Sequence, residues 1–149
     1  MSEVSHIPLS EVSHIPHSER DLSFVEGLLL SVPQAEAPLA HYFGPGIYIR
    51  EVILPVGSLV LGHRHKHEHL CVIIKGAFTF IDDNGEVVIK SAPMKFVAPP
   101  GRKLGHVLEE CVFWNIYATE ERDIEKLEDM LFEKSDVWLD HHAQKRIEQ

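Results

Sequence analysis

The sequence predicts an all-β domain, a sandwich or barrel, carrying an extended N-terminal arm and a short C-terminal helical tail. Three observations lead there. Between Ile47 and Tyr117, short runs rich in β-branched and aromatic residues are punctuated by turn residues at the roughly 8–12-residue spacing of sandwiches and barrels. Beyond Tyr117 the apolar spacing changes from alternation to a helical period. Ahead of Ile47, prolines and polar residues prevail. The expected organisation is therefore residues 1–46 as arm and linker, 47–118 as barrel and 119–149 as tail.

Each element has its own signal. Ser2–Pro8 recurs as Ser10–Pro16, and two copies of so short a unit are too few for a stacked solenoid. His6, His14 and His17 in this arm are too far apart in a flexible segment to hold a metal together. An arm that docks on a partner or a sister subunit is the better reading. Asp21–Val32 reads as a short helix or strand before the linker around Pro33–Pro38.

Ile47–Leu54 then suits a pleated, half-buried surface, and Pro55-Val56-Gly57 ends it. Leu70–Ile74 is a second apolar strand closed by Lys75-Gly76. Ala77–Ile81 and Glu86–Ile89 flank Asn84-Gly85, the strongest short hairpin signal in the chain. Lys95–Ala98 and Cys111–Tyr117 supply two more strands around Pro99-Pro100-Gly101. Ile124, Leu127, Met130 and Leu131 follow helical spacing behind Thr119 or Asp123 as a cap, and Ser135 caps a second helix. The tail from Thr119 to Gln149 holds ten acids and five bases, a solvated helical face with one apolar stripe.

Composition narrows the function. The 149 residues suit one domain, and 44% apolar with 25% charged residues is ordinary globular composition. Fourteen Lys and Arg against 23 Asp and Glu leave a net charge of −9, which argues against nucleic-acid or anionic-membrane binding. The start has neither a basic nor an apolar signal region, and Leu28-Leu29-Leu30 falls far short of the ~20 residues of a membrane helix. A cytoplasmic protein is expected. Cys71 and Cys111, without a C-x-x-C pair, read as two small buried side chains rather than a disulfide.

Histidine is the residue that stands out, at 11 copies. His63-Arg64-His65-Lys66-His67-Glu68-His69 puts an imidazole at every second position. On a strand, such neighbours share a face about 6.6 Å apart, close enough for two to lean onto one metal ion. In a straight strand His63 and His69 lie about 20 Å apart, so a joint site requires a turn near Lys66-His67-Glu68. His67 reads as the exposed tip of that turn. Bare surface histidines are the plain alternative for His63 and His65, against which the steep clustering and the usual role of imidazole as a ligand both weigh.

Gly57-x5-His63-x-His65-x3-His69-x6-Gly76 resembles the first motif of the cupin superfamily, G-x5-H-x-H-x3-E-x6-G, in every spacing. His69 stands where that motif has Glu. Pro99-Pro100-Gly101 is similar to the start of the second motif, P-x-G-x2-H-x3-N. His106 follows after four intervening residues instead of two, and Asn115 is too far on to be the motif's Asn. The resemblance covers Ile47 to about Tyr117, half of the chain, and the stretch Phe96–Leu131 is also similar to small cupin-like proteins of phage and prophage genomes.

The resemblance implies a cupin-type double-stranded β-helix, a jelly-roll barrel of six to eight strands. It implies one divalent transition metal (Fe, Mn, Ni, Cu or Zn) held by His63, His65, His69 and His106, and a homo-oligomer formed through arm, barrel or tail. With His69 in the carboxylate position the ligand set is all imidazole, which suits several of these metals and selects none. An open coordination position would allow chemistry on a small organic molecule, as a dioxygenase, isomerase or lyase, whereas a closed set would be structural.

Candidates for an acid or base are Glu51 and Glu68, both of which read more readily as solvated carboxylates. Cys71 shares parity with His69 and could line the cavity; a packed core thiol is the plainer role. Arg102 and Lys103 could receive an anionic substrate at the barrel mouth, or be an exposed loop. The alternative to an enzyme is a non-enzymatic cupin scaffold or interaction protein, which the resemblance to phage and prophage proteins would make phage-associated, and fold alone does not choose between them.

Overall fold

The computed structural model describes residues 3–6, 19–81 and 86–148. Numbered in chain order, its strands are β1 (Glu3–His6), β2 (Leu39–Gly44), β3 (Ile47–Leu54), β4 (Ser58–Leu61), β5 (Arg64–His65) and β6 (His69–Ile81). They continue with β7 (Val87–Ser91), β8 (Met94–Ala98), β9 (Leu104–Ala118) and β10 (Phe132–Glu133). The helices are α1 (Glu19–Leu30), α2 (Ile124–Leu131) and α3 (Asp136–Glu148). Most of the repeat, including His14 and His17, lies outside the described residues, as does Asn84-Gly85.

One antiparallel sheet of eight strands runs in the order β1-β4-β9-β3-β2, and β6 joins it through β9 while also pairing β7 and β8. The two longest strands, β6 and β9, form its spine. Their register shifts between Ile73 and Lys75, between Lys75 and Ala77, and between Ala77 and Phe78. Such bulges bend a strand pair and let the sheet curl on itself. Gly76 sits there with φ +87°, and a Cβ at this position would lie 2.1 Å from the Glu110 carbonyl oxygen. Only glycine permits that approach.

The sheet takes in more of the chain than the alternation suggested. β2 pairs with β3 from Leu39 opposite Val52 to Gly44 opposite Ile47, so the strands begin ahead of Ile47. Gly46, with φ +69°, makes the tight connection between them. The segment beginning at Asp21 is helical: Leu22, Val25 and Leu29 share one face of α1 and bury against Leu59, Leu61 and Leu104 on the outside of the barrel. Burying side chains of this size contributes about 1.5–3 kcal/mol each. Backbone pairing of β1 with β4 ties the start of the chain to the same edge.

Inside the barrel, Leu54, Ile73, Val107 and Cys111 form the core, flanked by Phe78, Phe96 and Phe113. Cys71 and Cys111 are both free thiols. A third cluster joins tail to barrel, with Leu127, Leu131 and Phe132 packed on Tyr48 and Tyr117. Asp123 caps α2, its side chain accepting from the Lys126 amide. Ser135 caps α3, with Trp138 N donating to its Oγ at 3.0 Å. Among the described residues no helix is long and apolar enough to cross a membrane.

Candidate functional site

The histidine-rich segment changes direction just after Lys66. Two neighbours hold β5 in place. His65 N donates to the Gly101 carbonyl and Gly101 N donates back to that of His65, each at 2.9 Å. On the other edge β10 pairs with β5, Phe132 opposite His65, and Lys66 N donates to the Leu131 carbonyl at 2.9 Å. The Lys66 ammonium also reaches the Asp129 carbonyl at 2.6 Å. Pro99-Pro100-Gly101 and the helical tail thus grip the strand that carries His65. His67 and Glu68 stand exposed at the bend, and His69 opens β6.

The bend brings His65 and His69 into face-to-face contact, ring centroids 4.3 Å apart. His69 Nε2 donates to Asn115 Oδ1 at 3.0 Å, and its Nδ1 lies 3.3 Å from the carbonyl oxygen of His67. Cys71 Sγ, one inward position along, donates to the same Asn115 oxygen at 3.6 Å. Tyr117 stacks on His69, centroids 5.0 Å apart, and places its hydroxyl 3.4 Å from His65 Nδ1. His63 takes a different direction, edge-on to Trp138 with centroids 5.0 Å apart and tilted against Phe132. It is only 5% exposed, and both its ring nitrogens are buried without a hydrogen-bond partner.

Burial governs the protonation of this bank. It pulls His63 and His65 down to about 3, with nearby positive charge adding to the effect, so both rings are neutral near pH 7. Burial likewise pushes the Cys71 thiol up to about 12 and raises the Tyr117 phenol. His63, His65, Cys71 and Tyr117 therefore offer neutral hydrogen-bonding groups.

His63, His65, His69, Cys71 and Asn115 form one wall of a partly open cavity of about 360 Å³. Phe78, Phe80, Phe96 and Phe113, with Val52 and Leu54, supply its apolar lining. Inward parity runs through His69 and Cys71 on one side of the β6 bulges and through Phe78 and Phe80 on the other, as the register shifts require. Lys90 and Lys103 also line the space.

Not every residue singled out in the sequence reaches this cavity. Gly105 and Val107 face it, so strand alternation turns His106 to the opposite side of β9, where it is buried across from Leu59. Two positions earlier, where the second motif would have its histidine, stands Leu104, packed under α1. Glu51 accepts from Trp114 Nε1 at 2.6 Å, on the face opposite the cavity-lining Val52. Arg102 forms a buried ion pair with Glu26 and donates from Nε to the Gly62 carbonyl, so it is no receptor for a substrate. Of the two loop cations, Lys103 alone lines the cavity.

The donor arrangement does not suit the mononuclear metal that the motif implies. Among the described residues no group of three His, Cys, Asp or Glu side chains lies close enough to hold an ion. Stacked imidazoles whose planes lie 10° from parallel direct their in-plane lone pairs alongside one another instead of toward a common point. His69 has oxygen atoms against both ring nitrogens, and His106 is on the other side of its strand. Only His63 keeps both nitrogens uncommitted.

The sequence reading set one residue of the site aside, Asn115, and missed another, Lys90. Asn115 is the one amide in the apolar run Phe113–Tyr117, and its shared parity with Phe113 and Tyr117 was the available signal. Lys90 had none, because its strand looks like an ordinary solvated hairpin.

A curled eight-stranded sheet with a histidine-bearing bend over an internal cavity defines a barrel of the cupin type. No family model matches the sequence, and no curated protein matches it. Among solved structures, ectoine synthase from P. lautus superposes with a TM-score of 0.51 at 13% identity, over 70% of this chain and 83% of that one. A cupin domain from Bordetella pertussis Tohama I gives a TM-score of 0.45 at 18% identity, over 59% and 98% of the two chains. An RmlC-like cupin family protein from Methanocaldococcus jannaschii, with a double-stranded β-helix fold, gives 0.46 at 19%, over 62% and 86%. What is shared at such identities is the fold, and the chain carries the cupin double-stranded β-helix.

Proposed function

We propose that this chain is a small-molecule-binding cupin, whose barrel takes up a compact, mainly apolar organic ligand carrying at least one hydrogen-bonding group. The observation that carries the reading is His63. A buried polar atom without a partner costs roughly 1–3 kcal/mol, and here two such atoms belong to a ring that lines a cavity. A ligand hydroxyl or carbonyl meeting one of those nitrogens would recover part of the cost. The cavity's size and make-up agree, since ligand sites of about 300–1,000 Å³ are typically apolar with a few placed polar groups.

Binding is favoured over turnover. Glu51 and Glu68 lie away from the cavity, so neither carboxylate is within reach of a bound molecule for proton transfer. Imidazoles held at about 3 are weak bases, and a thiol held at about 12 is a weak nucleophile. A metal-dependent dioxygenase, isomerase or lyase would need ligands that this donor set does not bring together.

The test is a screen of small organic molecules by thermal shift and by the fluorescence of Trp138, the tryptophan in contact with His63. A Trp114→Phe background leaves Trp138 as the sole tryptophan. Hits should raise the melting temperature with concentration, and a ligand at 100 times its Kd adds about 2.7 kcal/mol. His63→Leu should abolish that gain while leaving the fold as stable or more so. A His63→Leu protein that binds every hit normally would sink the reading.

A further inference from the structure

The protein carries a net charge of −9, yet the described residues lining its cavity include two lysines and no aspartate or glutamate. The Lys90 ammonium lies 3.8 Å from the ring centroid of Phe96 and 5.6 Å from that of Phe80. Lys103 approaches the same Phe80 ring at 5.8 Å. Phe96 is the cross-strand partner of Cys71, which is itself paired with Asn115. Lys90 is thus held beside the polar bank, and among the described residues no carboxylate pairs with it.

Asn115 adds a second donor at the same place. Its Oδ1 accepts from His69 Nε2 and from Cys71 Sγ, which leaves the amide N–H groups of this cavity-lining side chain for a ligand. Ammonium and amide donors with no acidic acceptor among the described lining residues, backed by aromatic rings that exclude water, make a site complementary to negative charge.

Resting on the reading of the barrel as a ligand site, we infer that its ligand is an organic anion: a carboxylate on a compact apolar body. The charged end sits against Lys90 and the Asn115 amide, and the body lies on Phe78, Phe96 and Phe113.

The experiment compares matched pairs of equal shape and different charge, phenylacetate with phenylacetamide and isovalerate with isovaleramide, by calorimetry on the full chain. Each carboxylate should bind at least about tenfold more tightly than its amide, a difference typical of one charge-assisted contact. Lys90→Met should reduce that preference to about threefold or less without changing the amide's affinity. Lys90→Arg, which keeps the charge, should retain most of it and shows that the strand tolerates substitution. Equal affinity within the pairs, or a preference untouched in Lys90→Met, overturns the anion assignment while the cavity remains a ligand site. If neither member of any pair binds, the ligand-site reading falls and this assignment with it.

Discussion

His65 lies flat on His69, centroids 4.3 Å apart and planes 10° from parallel, although three residues separate them in the chain. The contact exists because β5 is pinned between Gly101 and Phe132 while β6 departs along β8 and β9. Parallel rings share π surface well and a metal ion poorly. Protein purified without chelator should therefore retain only substoichiometric Fe, Mn, Ni, Cu or Zn after gel filtration, as measured by plasma mass spectrometry. One firmly held equivalent that His63→Ala or His65→Ala removes would show that the bank rearranges into a metal centre.

The ion pair between Glu26 and Arg102 is the other relationship that shapes the site from outside. Arg102 donates from Nη1 to Glu26 Oε1 at 3.2 Å and from Nη2 to Oε2, and Ser135 Oγ also donates to Glu26. Their side chains are 0% and 4% exposed for Glu26 and Arg102, respectively. Three distant segments, α1, the loop before β9 and the cap of α3, meet at this one carboxylate. Removing one partner of a buried pair costs about 3–5 kcal/mol, so Glu26→Gln should lower the free energy of urea unfolding by that order. The double variant Glu26→Leu/Arg102→Met should recover much of the loss. Additive losses in the double variant would contradict the pairing.

How far the sequence revealed this architecture follows from which signals are local. The bend after Lys66 was legible because four imidazoles at alternate positions cannot converge on a straight strand. Cys71 facing the cavity followed from its parity with His69. Parity failed where information is nonlocal: the β6 bulges shift it between Ile73 and Phe78, and nothing in the sequence marks how many residues they absorb. His106 was read as a ligand from its distance to Pro99-Pro100-Gly101, whereas its direction depends on where β9 enters the sheet. Glu26 carries no motif, and nothing beyond a helix cap marks Ser135, since the contacts of Glu26 with Arg102 and Ser135 are made by folding together residues 76 and 109 apart in the chain.

Two glycines of the first motif are held for unequal reasons, and substitution separates them. Gly57 has φ +81° in the turn after β3, so Gly57→Ala carries the left-handed backbone penalty, about 1 kcal/mol. Gly76→Ala adds to that penalty a Cβ 2.1 Å from a backbone oxygen and 2.8 Å from the Cys111 Cα. The spine of the sheet would have to separate. Gly76→Ala should cost more than about 3 kcal/mol, the upper range of single substitutions, or prevent folding. Comparable denaturation midpoints for the two variants would refute the close approach of β6 and β9.

Cys111 gives a pH test that does not involve the histidine bank. It is fully buried in the barrel core, and burial pushes its thiol from 9.0 up to about 11. The native state therefore holds this proton more tightly than the unfolded chain does. The resulting stability is fully present below pH 9 and is lost as the pH rises from there through about 11. That rise corresponds to about 2–3 kcal/mol. Comparing urea midpoints of the wild type and Cys111→Ala between pH 7 and 11 isolates the contribution. The variant should start lower, because of the cavity it leaves, and the gap should narrow above pH 9. The thiol should also react with a disulfide reagent at pH 8 only as fast as the protein unfolds. Immediate labelling at that pH, or a gap that stays constant with pH, would show that the Cys111 side of the core is open to water.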